Sequence, residues 1–427
     1  MLSFLKEKKS IMDNQNKPPA YRWLILLLTW LTAVALFSSI NQLAPLSGSI
    51  IADLNLAGAA YGILYSSPMF GVACMALVAG AASDCFGPRI VISCGLSFVA
   101  LCAFCRGFAA SSGSYGLFLL CNFLMGLGFG ITYPNLPKLV GDWFPVRQRG
   151  AATSIYSTGI PCGSSSALML TIPVALVLAK GVWQHVPFIW GCFALAVALL
   201  VWLLCRNGPG FVSSRSSGGK MFNKEVYTNR TLWRVGATFF CCTWVFYVCL
   251  SWFPSILAYR GASPGQAGAM TGLIPLFGLL GNLIVPVLSD RIHWRSIFII
   301  GGQICGVTAC LLMLFCPLSW FYVLMPLIGF FDNAAYACLA FMLPLDLMPA
   351  HQRGSATGFI MTMGYISALL GPTVVGLIWD ASQSMNIVVT SIALVYLVGI
   401  TCALRIPDPV RQRWLAAKKQ NLAMAQA

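Results

Sequence analysis

Charge is what this sequence has least of. Asp, Glu, Lys and Arg make up 9% of its 427 residues, against roughly 25% in an ordinary soluble domain. A chain so poor in charge cannot cover a water-facing surface, so lipid must be the solvent for most of it. Histidine is nearly as scarce: His185, His293 and His351 lie near the ends of apolar runs and far apart in sequence. An integral-membrane enzyme would need paired titratable groups or a metal set at depth, so catalysis is not expected. Cysteine is plentiful at seventeen but lacks pattern, and Cys241–Cys242 are neighbours rather than a Cys-x-x-Cys pair. No zinc spacing and no outer-loop pair for a disulfide results. The cysteines read as small apolar packing residues, and neither metal nor cofactor is expected. Residues 1–20 lack an apolar core, so no cleaved signal peptide is expected. Neither tail is long enough to fold as an added soluble sensor domain.

What is present is apolar sequence in lengths of about 20 residues, enough to cross a ~30 Å hydrocarbon core as helix. Twelve spans are read, near 22–44, 58–80, 90–109, 114–136, 151–177, 186–205, 232–256, 265–288, 296–316, 319–342, 355–377 and 386–405; they are helices 1 to 12 below. The predicted organisation is a tail at 1–21, a six-helix bundle at 22–205, a polar central loop at 206–231, a second bundle at 232–405 and a tail at 406–427. The formal net charge of +15 invites a nucleic-acid partner, but 23 of the 26 Lys and Arg fall on one side of this topology. The positive-inside rule accounts for that bias. It places both termini in the cytoplasm and the chain as a multi-pass protein of the cytoplasmic (inner) membrane, with no nucleic-acid partner. Arg106, Lys180 and Arg260 fall outside the bias, and Arg106, toward the outer end of helix 3, reads as an interfacial anchor.

The chain also repeats itself. Residues 142–153 read Asp-Trp-Phe-Pro-Val-Arg-Gln-Arg-Gly-Ala-Ala-Thr, and residues 346–357 read Asp-Leu-Met-Pro-Ala-His-Gln-Arg-Gly-Ser-Ala-Thr, with seven of twelve positions identical at an offset of 204. Asp84 and Arg89 return as Asp290 and Arg295 at an offset of 206. Two apolar halves with the same polar punctuation are the sequence form of a duplicated membrane bundle.

Gly80-x-x-x-Asp84-x-x-Gly87-x-Arg89 lies between helices 2 and 3, with a degenerate copy at Pro286-x-x-x-Asp290-Arg291. With the twelve spans and the 6+6 duplication, it resembles the signature loop of the major facilitator superfamily. The resemblance implies an all-α integral membrane fold of two pseudo-symmetric six-helix bundles. It implies a secondary active transporter working by alternating access, with a small-molecule solute and possible protons as its partners in the bilayer. A monomer is expected. It also implies a conformational latch at Gly80, Asp84, Gly87 and Arg89, echoed at Asp290 and Arg291. Asp142, Arg149, Asp346 and Arg353, in the repeated boxes, are assigned gating through ion pairs that form when the inside is closed.

In this family helices 1, 4, 7 and 10 line the cavity, so their polar residues are the candidate solute and coupling groups. Asp332, the one acid deep in a predicted span, usually needs a wet or paired site at that depth; Asn333 is adjacent and Tyr336 one turn on. It would serve as proton carrier or as counter-charge to a cationic solute; assembly through a neighbouring helix is the structural alternative. Helix 4 offers Asn122 and Tyr133 on one face, helix 7 Trp244 and Tyr247, and helix 1 Asn41 and Gln42; Asn282 of helix 8, Tyr65, Tyr156 and Tyr365 are weaker candidates. Many members carry arginine where Asn122 stands, so proton coupling would rest on Asp332 alone. No Lys or Arg stands mid-span in helices 1, 2, 4, 5, 7, 8, 10 or 11, which disfavours a small inorganic anion. Helix 5 matches the drug-antiporter Gly-Pro pattern poorly. A small organic carboxylate is the favoured solute, with an organic cation or amine held by aromatics and Asp332, or drug-type efflux, as the alternatives.

Overall fold

The computed structural model describes residues 21–208, 228–339, 343–348, 353–412, 414–416 and 420. All regular structure among them is helical. Eleven helical stretches are long and apolar enough to cross a membrane, and helix 2, Gly58–Phe86, adds a 29-residue rod. The remaining spans follow the predicted order: helix 3 Pro88–Ser111, helix 6 Val186–Leu204, helix 7 Arg230–Tyr259, helix 8 Pro264–Ile292, helix 9 Arg295–Phe315, helix 10 Phe321–Ala337, helix 11 Arg353–Ser382 and helix 12 Met385–Ala403. Their lipid-facing sides carry apolar side chains such as Val177, Leu203 and Phe315, each more than 70% exposed, as expected where lipid replaces water.

Local sequence sets the joints. Gly87 ends helix 2 at φ +83°, a left-handed value open to glycine, and Pro88 opens helix 3 where its missing N–H costs nothing. Asn229 caps helix 7 through Thr231 N–H and Leu232 N–H. Ser263 and Gln266 form a reciprocal capping box on helix 8. Three interruptions lie wholly within the described residues. Helix 1 stops at Asn41, and the chain resumes through a 3-10 turn at Ala44–Leu46, containing Pro45, into a short helix Ser47–Asp53. Helix 4 runs Tyr115–Thr132, turns 3-10 over Tyr133–Asn135 and continues as Leu136–Trp143; helix 5 is Val146–Ser157 followed by Gly159–Val177.

Within the first bundle helix 2 packs on 4, 4 on 3, 3 on 6, and 1 on 5 and 6; in the second, 8 packs on 10, 10 on 9, 9 on 12, and 7 on 11 and 12. The bundles meet along helices 2 and 11 and along helices 5 and 8. The largest apolar core joins both bundles at one end, where Leu43, Tyr61 and Leu168 pack with Trp252, Ile274 and Val375. At the other end, which carries the repeated boxes, the core splits. Ile25, Leu139 and Trp143 belong to a mainly first-bundle cluster, and Leu232, Leu343 and Met348 to a second-bundle cluster. The joined end is called the far end below, the other the box end.

Candidate functional site

Five tyrosines from five helices converge between the bundles. Tyr133 of helix 4 lies within electrostatic reach of Tyr156 of helix 5, Tyr247 of helix 7, Tyr336 of helix 10 and Tyr365 of helix 11. Aromatic packing fixes the rings: Tyr133 against Phe37 and Phe129, each at 5.6 Å, Tyr336 against Phe239 at 5.0 Å and Tyr247 against Phe246 at 5.6 Å. Such tilted and edge-on contacts hold a ring while leaving its hydroxyl directed elsewhere. Of the five, Tyr133, Tyr247 and Tyr336 were expected at the site, and Tyr156 and Tyr365 were the weaker candidates.

Toward the far end a polar network lies beside the break in helix 1. Tyr65 O–H donates to Asn41 Oδ1 at 2.7 Å, and Asn41 Nδ2 donates to Ser164 Oγ of helix 5 at 3.1 Å. Tyr65 is also within electrostatic reach of Tyr247, tying this network to the cluster. Gln42 points back, its Nε2 donating to Ser39 O at 3.1 Å. Asn122 faces neither network nor cluster. It is fully buried, its Nδ2 donates to Phe118 O at 3.1 Å, and its Oδ1 accepts from Arg106 at 3.2 Å. The interfacial-anchor reading of Arg106 is therefore corrected. Its guanidinium is fully buried between helices 1, 3 and 4, because the close packing of helix 3 on helix 4 leaves it no route to the interface.

The second bundle separates residues that sequence spacing joins. Asp332 is 4% exposed and accepts from Tyr396 O–H of helix 12 at 3.2 Å. Tyr336, one turn on, faces Phe239 and the tyrosine cluster. Four helical residues rotate by about 40° beyond a full turn, enough to give these two side chains different neighbours. Asn333 accepts from Asn282 Nδ2 at 3.4 Å, a link between helices 10 and 8. Trp244 is buried against Gly371 of helix 11.

At the far end the bundles are bonded directly. Asp380, at the end of helix 11, accepts from Gly58 N–H at 2.6 Å and Ala59 N–H at 2.8 Å. A carboxylate on the first free amides of helix 2 is a charge-assisted cap strengthened by the helix dipole. Ser47 and Ser255 hydroxyls meet at 2.8 Å, and Ser66 and Thr373 at 3.3 Å. Backbones press close beside them: a Cβ on Gly62 would stand 2.4 Å from Pro372 O, and one on Gly268 2.4 Å from Leu168 O. Sequence reasoning did not name Asp380. The signal available was an acid at the far end of a span, where charge is rare.

At the box end the polar contacts given by the described side chains stay within one bundle. Arg295 pairs with Asp290 at 3.1 Å and also with Asp346, so one buried guanidinium joins the helix 8–9 turn to the second box. Arg291, expected in that role, is exposed. Arg89 donates through its backbone N–H to Asn207 Oδ1 and through its side chain to Trp202 O. Asp142 is within electrostatic reach of Lys138 and Arg149, and Arg149 donates to Phe144 O. Gly80 and Asp84 belong to the last turns of helix 2, and Arg353 opens helix 11; the side chains of Asp84 and Arg353 lie outside the described residues.

The family model described as Major Facilitator Superfamily matches residues 24–372. A gallate transporter of Pseudomonas putida is 25% identical over 417 residues, covering 89% of this chain and 90% of the relative. A 2-nitroimidazole transporter of Escherichia coli (strain K12) is 28% identical over 364 residues, covering 83% and 88%. Among solved structures, a D-xylose-proton symporter shares the fold with a TM-score of 0.73 at 16% identity, covering 91% of this chain and 99% of that one.

Proposed function

The chain belongs to the major facilitator superfamily and is a membrane transporter rather than an enzyme, and from that premise we propose that it carries a small organic carboxylate across the cytoplasmic membrane by alternating access. The observation that carries this reading is the tyrosine cluster at the bundle interface, beneath a far end that is bonded shut. Five phenol groups, two from the first bundle and three from the second, offer flat aromatic surface and hydroxyl donors at the bundle interface. That suits a planar carboxylate, whose oxygens only accept hydrogen bonds. A gallate-type solute offers a ring and a carboxylate, and a nitroimidazole offers a ring with a polar substituent. The organic-cation alternative leans on Asp332, whose described hydrogen bond runs to helix 12 and not into the cluster.

The positive-inside bias assigns the box end to the cytoplasm and the far end to the outside. The described conformation is then open inward, and the bundles 22–205 and 232–405 are the bodies that rock. Asn41, Gln42, Tyr65, Tyr133, Tyr247, Tyr336 and Asn333 belong to the solute path, and the residues at the box end to the gate. Asp332 is assigned proton coupling, as a buried acid bonded by a neutral phenol alone.

The test is uptake into proteoliposomes of the purified chain, with gallate and a quaternary ammonium ion as competitors. The carboxylate should compete and the ammonium should not; the reverse order would remove this reading. Asp332→Asn should abolish acceleration of uptake by an inward-directed proton gradient while gallate binding persists. Unchanged gradient dependence would remove Asp332 from coupling.

A further inference from the structure

Two basic side chains are buried among the described residues, Arg106 and Arg295. Arg295 is neutralised by Asp290 and Asp346. Arg106, wholly inaccessible, has no carboxylate partner. Its contacts are Asn122 Oδ1 at 3.2 Å, Ser39 O at 3.0 Å and Met125 Sδ at 3.5 Å, and its Nε makes no hydrogen bond. Neutral dipoles offset a buried cation only in part, since an uncompensated charge in a low dielectric costs several kcal/mol. Removing the guanidinium from helix 3 would cost little packing that an apolar chain could not replace, so the charge itself requires a reason.

The position supplies one. Ser39 lies in the last turn of the first segment of helix 1, where carbonyls carry the negative end of the helix dipole. Gln42 donates to the same carbonyl, and its Oε1 is left buried without a partner. Asn41, in the same broken end, is bonded to Tyr65, which reaches the tyrosine cluster through Tyr247. Arg106 is therefore fastened to the break in helix 1, which leads through Asn41 and Tyr65 to the solute cluster. The second bundle carries an acid near the matching place. Adding the repeat offset of 204 to 106 gives Cys310, which lies in electrostatic contact with Asp332. The interface between the bundles is thus flanked by a positive centre on one side and an acid on the other.

We propose that Arg106 is a specificity-determining residue that makes the site prefer anionic over neutral solutes, with the solute carboxylate turned toward the first bundle. It acts through the helix 1 break and without touching the solute, so it is a positioning and field-setting group. One charge at ~10 Å in an effective dielectric of ~20 changes an affinity roughly tenfold, and that is the effect expected. The inference rests on the carboxylate reading above.

The experiment measures binding of gallate and of its uncharged amide, 3,4,5-trihydroxybenzamide, to the purified full chain by calorimetry, with the thermal midpoint recorded in parallel. Wild type should prefer the acid. Arg106→Gln should lose roughly tenfold of that preference, and Arg106→Lys should keep most of it. Asn122→Asp is the decisive variant, because it places a carboxylate beside the guanidinium and cancels the charge without removing it. Its preference should fall as in Arg106→Gln while its thermal midpoint rises, a combination that a merely structural arginine would not produce. If Asn122→Asp keeps the wild-type ratio, or if Arg106→Gln weakens both ligands equally, the proposal is overturned. A wild type that binds the two ligands alike, or neither, overturns the carboxylate reading itself, and that result is distinct because it appears before any substitution.

Discussion

At the scale of single residues, the proposed site rests on hydroxyls and a few carboxylates. Tyr247 and Tyr336 of the central cluster keep their rings in aromatic packing, so removing either hydroxyl should leave the fold intact. Tyr247→Phe and Tyr336→Phe should each raise the KM for solute about 2- to 10-fold with kcat little changed, the range of one hydrogen bond at ~0.5–1.5 kcal/mol. Initial uptake rates over a range of solute concentrations check this. Trp244→Phe, at a buried packing position against Gly371, should change KM by less than about twofold. Asp380 is the single acid bonded across the bundles among the described residues. Asp380→Asn retains the size and weakens two charge-assisted bonds, so the far end should open more often. In a cysteine-free background, Ser47→Cys should then react roughly tenfold faster with a membrane-impermeant maleimide, for a loss of about 1.4 kcal/mol. An unchanged rate would remove Asp380 from the closure.

At the scale of elements, the function depends on where helices are interrupted and where they touch. Helix 1 breaks before Pro45 because proline supplies no N–H to continue the ladder. Helices 2 and 11 come close enough that a Cβ on Gly62 would meet the carbonyl of Pro372. Gly62→Val cannot be absorbed by a flexible side chain, since the obstacle is backbone. The far end of this variant should fail to close, and transport should fall at least tenfold while the protein remains folded. Circular dichroism, uptake and maleimide labelling at Ser47→Cys separate this outcome from misfolding. In helix 10, spacing put Asp332 and Tyr336 on one face, but the packing of helices 7 and 12 gave them different partners. That division was not legible, because period alone gives an angle and not the identity of the neighbour.

At the scale of the whole molecule, the apolar core is continuous between bundles at the far end and divided at the box end. Alternating access requires the far-end contacts to part in each cycle. A disulfide between Ser47→Cys and Ser255→Cys, whose hydroxyls stand 2.8 Å apart, should stop transport almost completely and release it on reduction. Transport that continues with the crosslink formed would mean that the far end need not open. The Arg295 pairings work differently, because they lie within one bundle. Arg295→Gln should lower the stability of the second bundle by about 1–3 kcal/mol, with Asp290 too exposed for the full loss of a buried pair. A lower thermal midpoint, read in the absence of solute, checks this.

The sequence by itself determined the solvent, the number of spans and the duplication. Each follows from summed composition or from repetition, which do not depend on what touches what. It also named the five central tyrosines, Tyr133, Tyr247 and Tyr336 as site candidates, because they fall on helices whose place in the bundle was already implied, and Tyr156 and Tyr365 as weaker ones. Tertiary structure decided the rest. Arg106 looked interfacial from its place near a helix end, although Gly107 to Ala110 carry the apolar run a full turn beyond it. Its burial is made by helices 1 and 4, which sequence does not place against it. Asp380 belongs to no repeat, and its partners are backbone amides more than 300 residues away. The physical reason is common to both. What surrounds each of these two charges is set by tertiary packing, and those groups lie on helices that sequence alone does not place beside them.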